Sequence, residues 1–147
     1  MMQPKFKEID GFIVRGMRIE TTTKNSRNKT DCPKVWKKFL KSDAAKNADE
    51  FFGVCVEKNN HEFTYIAGIR NDKQADELEE VKIPESRYAV FVHDKGLNKI
   101  SETWDYAYSK WLFNSGFEHN KKGISFERYE TSEDGDIKKI EIYVPVR

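Results

Sequence analysis

The strongest constraint on the fold is that the chain reads twice as strand, helix, strand, strand. Residues 12–20 form a first strand pattern led by Ile13 and Val14, and the polar run Thr21 to Thr30 ends it. Asp31 ahead of Cys32-Pro33 is a helix-start signature. The helix Lys34 to Lys41 then places Val35, Trp36, Phe39 and Leu40 on one side and four lysines on the other. Strand patterns at 51–56 and 63–69 follow, joined by the polar link 57–62. The acidic stretch Asp76-Glu77-Leu78-Glu79-Glu80 reads as a solvated connector. The order then recurs. Residues 87–92 are a strand, with Tyr88, Val90 and Val92 on its core face. A helix from about Asn98 to Leu112 carries Ile100, Trp104, Ala107, Tyr108, Trp111 and Leu112 in one stripe and stops at Asn114-Ser115-Gly116. Residues 124–129 and 137–146 make a second hairpin over Ser132 to Asp136.

Residue echoes support a duplication. Trp36 and Trp104 fall at similar points of their helices, Glu57 and Glu130 both leave the third element, and Ile66-Ala67-Gly68-Ile69-Arg70 echoes Tyr143-Val144-Pro145-Val146-Arg147. The expected fold is α+β. It has two pseudo-symmetric antiparallel βαββ repeats, about 12–70 and 83–146, helices on one face and a ligand cleft between the repeats. Alternation puts Ile124 and Phe126 on one strand face and Glu127 and Tyr129 on the other. We assign the first pair to the face under the helix and the second to the open, concave face. Aligning Glu57 with Glu130 sets Val54 at the place of Glu127 in the first repeat.

Aromatic residues are 13% of a chain in which 35% of residues are charged. So many rings need a core or a ligand to pack against. The net charge of +1 gives no pull toward nucleic acid or anionic membrane. Cys32 and Cys55 make no CxxC pair, and His61, His93 and His119 lack ligand spacing, so no metal site is expected. Walker, GxGxxG, HExxH and GxSxG signatures are absent, so no cofactor is expected. With no signal-peptide pattern and no span-length apolar run, a cytoplasmic protein is expected.

The second half is similar to a known family. Ile83 to Gly96, Trp111-Leu112-Phe113-Asn114-Ser115-Gly116, Phe126-Glu127-Arg128-Tyr129 and Ile140 to Val146 resemble, in order, pieces of the gyrase-inhibitor-like effector-binding domains. These domains are attached to bacterial multidrug-responsive transcription activators and also occur alone. The resemblance implies one effector-binding domain over 1–147, with an aromatic pocket and a carboxylate that falls on Glu127. A helix-turn-helix pattern does not precede residue 12, so direct DNA binding is not expected.

The residues suggest a matching chemistry. A partly buried carboxylate loses hydration and demands a partner. A hydrophobic, cationic small molecule would supply charge to Glu127 and stack on nearby rings. Tyr65, Tyr129 and Tyr143 are the candidate ring and hydroxyl contacts, with Trp36 and Trp104 at the pocket edge and Val54 as the apolar counterpart of Glu127. A strand Glu also commonly faces solvent or pairs with Lys or Arg, and helical tryptophans commonly pack in cores; alternation leaves both open. The family resemblance also implies two other activities. One is hydrolysis of strained toxic molecules, with Glu127 and Tyr129 as the acid–base pair. The other is protein binding in the manner of gyrase inhibitors.

Overall fold

The structure is a computed structural model and describes residues 2–71 and 77–147. Eight strands, β1 (Lys5–Ile9), β2 (Phe12–Thr22), β3 (Glu50–Glu57), β4 (Glu62–Arg70), β5 (Glu79–Ile83), β6 (Ser86–His93), β7 (Ser125–Thr131) and β8 (Ile137–Val146), form one antiparallel sheet. Their order is β1-β6-β8-β7-β3-β4-β2-β5. The two hairpins meet at the β3–β7 pair, where Gly53 stands opposite Glu127. From that seam outward, each half reads third element, fourth element, first element and an added edge strand.

The edge strands are exchanged between halves. β1 runs into β2 through Asp10-Gly11 yet pairs with β6, and β5 runs into β6 through Pro84-Glu85 yet pairs with β2. Links this short bring the two ends of the sheet together. The sheet bends around one apolar face, where Phe12, Val14, Phe52, Val54, Ile83, Tyr88, Val90, Phe126 and Tyr143 form a single cluster. Phe126 stacks on Tyr143 at 4.5 Å and meets the edge of Phe12 at 5.6 Å.

Both helical units cover the opposite face. The even-numbered residues of β8 show this: Ile140 packs with Val35 and Phe39 of α1 (Asn28–Leu40), and Ile142, Val144 and Val146 pack with Ala107. The second unit comprises α2 (Ile100–Asp105), a π-helical segment (Tyr106–Trp111) and α3 (Leu112–Ser115). Gly116 ends it at φ 84°, the left-handed position anticipated for Asn114-Ser115-Gly116.

Several expectations need correction. The two strand faces are interchanged: Ile124 and Phe126 belong to the cluster away from the helices, and Glu127 and Tyr129 lie under them. Period-two alternation fixes which residues share a face but not which face receives the helices. A sheet bent on itself needs an apolar lining on the helix-free side too. β1 was not anticipated, because its charged, exposed sequence lacks a strand pattern. The acidic connector is partly strand. Glu79 and Glu80 lie in β5 and pair with Arg18 at 3.2 Å and Arg15 at 3.1 Å, while Asp76 lies outside the described residues. Charged edges of this kind discourage further strand pairing. α1 starts at Asn28, so Asp31 lies within it. Its buried carboxylate accepts from Thr21 Oγ1 at 2.9 Å rather than capping the helix. Leu40 and Val92 are more than two-fifths exposed and leave the core. Among the described residues, no helix is long and apolar enough to cross a membrane.

Candidate functional site

A trough runs between α1 and α2 above the central β3–β7 pair. Its floor includes Phe51 and Cys55 from β3, Tyr65 from β4, and Ser125, Glu127 and Tyr129 from β7; Trp36 and Cys32 of α1 and Ile100 and Trp104 of α2, with Tyr108 beyond, form its walls. Its volume is about 2230 Å³, well above the roughly 300–1,000 Å³ of a closed small-molecule pocket. It is an open groove with space beyond any single contact point.

Glu127 is 6% exposed and sits at the centre of the floor. Its Oε1 accepts from the hydroxyls of Tyr65 and Tyr129, both at 2.7 Å, and its Oε2 accepts from the Trp104 indole N–H at 2.9 Å. Trp36 in turn donates its indole N–H to Tyr65 Oη at 2.7 Å. The two tryptophans that echo each other in sequence therefore enter one network, Trp104 directly and Trp36 through Tyr65. Trp36 also meets the Tyr129 ring edge-on at 5.3 Å.

All donors to this carboxylate are neutral. Glu127 has no ion-pair partner among the described residues. Burial pushes its pKa up, and the bonds from Tyr65, Tyr129 and Trp104 oppose that rise without reversing it. Burial and the nearby carboxylate also push the Tyr65 and Tyr129 hydroxyls well above the usual phenol range, so they remain donors. The Cys32 thiol is pushed up to about 12 by burial, and Cys55 rises well above its ordinary value. Both shifts favour the neutral thiol over the nucleophilic thiolate.

The structure brings together Glu127, Tyr129, Tyr65, Trp36 and Trp104, but leaves Tyr143 and Val54 out of the trough. Tyr143 is on the other sheet face, stacked on Phe126, with Lys7 Nζ 5.8 Å from its ring centroid. Val54 is fully buried on that same face, paired in register with Phe126. The register makes Gly53 the residue facing Glu127 across the seam, one position from the sequence alignment. Val54, aligned with Glu127 in the sequence, faces the other side of the sheet, as any odd shift of alignment produces.

Gly53 is itself part of the site. A Cβ there would collide with Tyr65 Oη and with Glu127 Oε1. A glycine between Phe52 and Val54 in a strand pattern signals close approach of another group, and that signal was available in the sequence. The trough roles of Phe51, Cys55 and Tyr108 had no comparable signal.

The fold and trough define an effector-binding domain. Residues 5–146 match the family of the integron-associated effector binding protein, Cass2, and the chain belongs to that family. It is 28% identical over 122 residues to the transcriptional regulator BrlR of Pseudomonas aeruginosa. That match takes in 76% of this chain and 45% of the regulator, so the chain spans less than half of that relative. Among solved structures, it resembles SAV2435 bound to tetraphenylphosphonium (TM-score 0.78, 14% identity, 99% of this chain and 94% of that one). It also resembles an integron cassette protein from the mobile metagenome of Vibrio cholerae (TM-score 0.77, 20% identity, 99% of this chain and 97% of that one). At these identities both show the fold.

Proposed function

We propose that this chain is a receptor for hydrophobic small-molecule cations, held in the trough with their charge against Glu127 and their apolar surface against Trp36, Trp104 and Tyr129. One observation carries the reading: a buried carboxylate is held in place by neutral donors alone. Three hydrogen bonds orient it and offset part of its desolvation cost, but they do not neutralise its charge. A cation entering the trough would do so, and each well-placed ring adds roughly 0.5–2 kcal/mol of cation–π attraction. The tetraphenylphosphonium complex of SAV2435 and the likeness to a transcriptional regulator support a sensing or sequestering role.

Hydrolysis by Glu127 and Tyr129 is the weaker reading. The Tyr129 proton is committed to the same Oε1 that Tyr65 occupies, and Trp104 takes Oε2. A general base needs a lone pair directed at water; here three of the carboxylate's roughly four lone-pair sites are directed at protein donors.

Titration of tryptophan fluorescence with tetraphenylphosphonium, triphenylphosphine oxide and tetraphenylborate tests the proposal. Saturable quenching by the cation is expected, with little response to the neutral compound or the anion. Glu127→Gln weakens cation binding at least about tenfold, because a buried charge pair loses one member. Equal responses to cation and anion, or unchanged binding in the variant, would overturn it.

A further inference from the structure

Glu127 is not the only carboxylate in the trough. On β3, Phe51, Gly53, Cys55 and Glu57 alternate onto the trough face, and Glu57 is exposed and lines the groove. Gly53 is directly opposite Glu127, so Glu57 lies four residues farther along the seam. At about 3.3 Å per residue, the two carboxylates belong to backbone positions about 13 Å apart.

Glu57 forms no ion pair among the described residues. Its neighbour Lys58 is engaged with Glu20 at 2.6 Å, and Lys121, on the same rim, is not within ion-pairing distance of it. An aromatic wall links the two acids. Trp104, bonded to Glu127, stacks on Tyr108 at 6.0 Å with 19° between planes, and Tyr108 lines the same groove as Glu57. Cys55 and Ser125 face each other in the floor between them. Along this stretch the central strands β3 and β7 present two acids, Glu57 and Glu127, with ring surface between them; Asp105 and lysines such as Lys121 line the rim, and the groove is longer than one cationic head requires.

We propose that the trough prefers elongated dications, with one cationic centre at Glu127, the second at Glu57, and an apolar linker along Trp104 and Tyr108. This rests on the cation-receptor reading and adds a length and charge rule to it. Glu127 supplies a desolvated contact. Glu57, being exposed, supplies a weaker and salt-sensitive one.

The test is competition or calorimetric titration with polymethylene bis(trimethylammonium) ions, tetramethylene to dodecamethylene, against alkyltrimethylammonium ions of matched length. Affinity is expected to peak in the series where the nitrogens lie about 13 Å apart. There the dication exceeds its monocation partner by about fivefold, the upper range for one exposed charge pair and more than the statistical factor for two heads. Glu57→Gln removes that advantage and leaves monocation affinity unchanged. Asp105→Asn, the same charge change elsewhere on the trough rim, leaves the advantage in place. A dication advantage that survives Glu57→Gln, that falls equally with Asp105→Asn, or that does not depend on length would overturn the inference. In those cases, monocation binding that still requires Glu127 leaves the receptor reading standing. Failure of every monocation to bind the wild-type protein overturns both.

Discussion

Trp104 and Glu127 are joined by an indole N–H to carboxylate hydrogen bond of 2.9 Å that ties α2 to the central strand of the sheet. The donor lies two residues before the π-helical segment, and the acceptor is at the seam between the two halves. Trp104 thus has two roles, as a wall of the trough and as one of the groups that oppose the rise of the Glu127 pKa.

Replacing Trp104 with Phe keeps an aromatic wall but removes the donor to Oε2. The carboxylate loses one of the bonds opposing its raised pKa, so that pKa rises further. The pH at which cation affinity falls to half its plateau should move upward in Trp104→Phe, and denaturant titration should show a loss of about 1–3 kcal/mol, the range for orphaning a buried acceptor. An unmoved pH midpoint would separate Trp104 from the carboxylate.

The pH dependence of binding has a definite sign. Burial raises the Glu127 pKa above its ordinary value, and the cation prefers the charged form. Affinity is therefore highest above the raised pKa and declines as pH falls through it, and binding in that window releases protons. Calorimetry in buffers of different ionisation enthalpy measures the release. Folding stability runs the other way. Between the unfolded and folded pKa values the native state holds more protons, so the stability tied to neutral Glu127 is lost as pH rises. Glu127→Gln should flatten both trends.

Gly53→Ala tests the close approach at the seam. The added Cβ would meet the Tyr65 hydroxyl and Glu127 Oε1, and neither can retreat without breaking its bonds. A cost of about 1–3 kcal/mol is expected in urea denaturation, as for overpacking a tight core, together with weaker cation binding. Combining it with Glu127→Ala should cost less than the sum of the single changes, because removing the carboxylate relieves part of the clash that the new Cβ creates.

Much of the architecture was legible because it rests on local periodicity. The stripe from Ile100 to Leu112 and the stop at Gly116 located the second helix, and the alternation in 124–129 and 137–146 located its hairpin. That Glu127 and Tyr129 share a face also followed from alternation. Trp36, Trp104 and Tyr65 were named as candidates from residue type, from position in the repeat and from the family resemblance.

The amino-acid sequence by itself determined which residues share each face, where chains turn, and that Glu127 shares its strand face with Tyr129. Only the tertiary structure decided that the helices cover the Glu127 face, that β1 and β5 exchange partners, and that Gly53 rather than Val54 meets the carboxylate. It likewise sent Tyr143 to the far side. The physical reason is that strand periodicity is a property of consecutive residues, whereas register and face are set by pairing between segments far apart in the chain. A shift of one residue in that pairing reverses a side chain's surroundings.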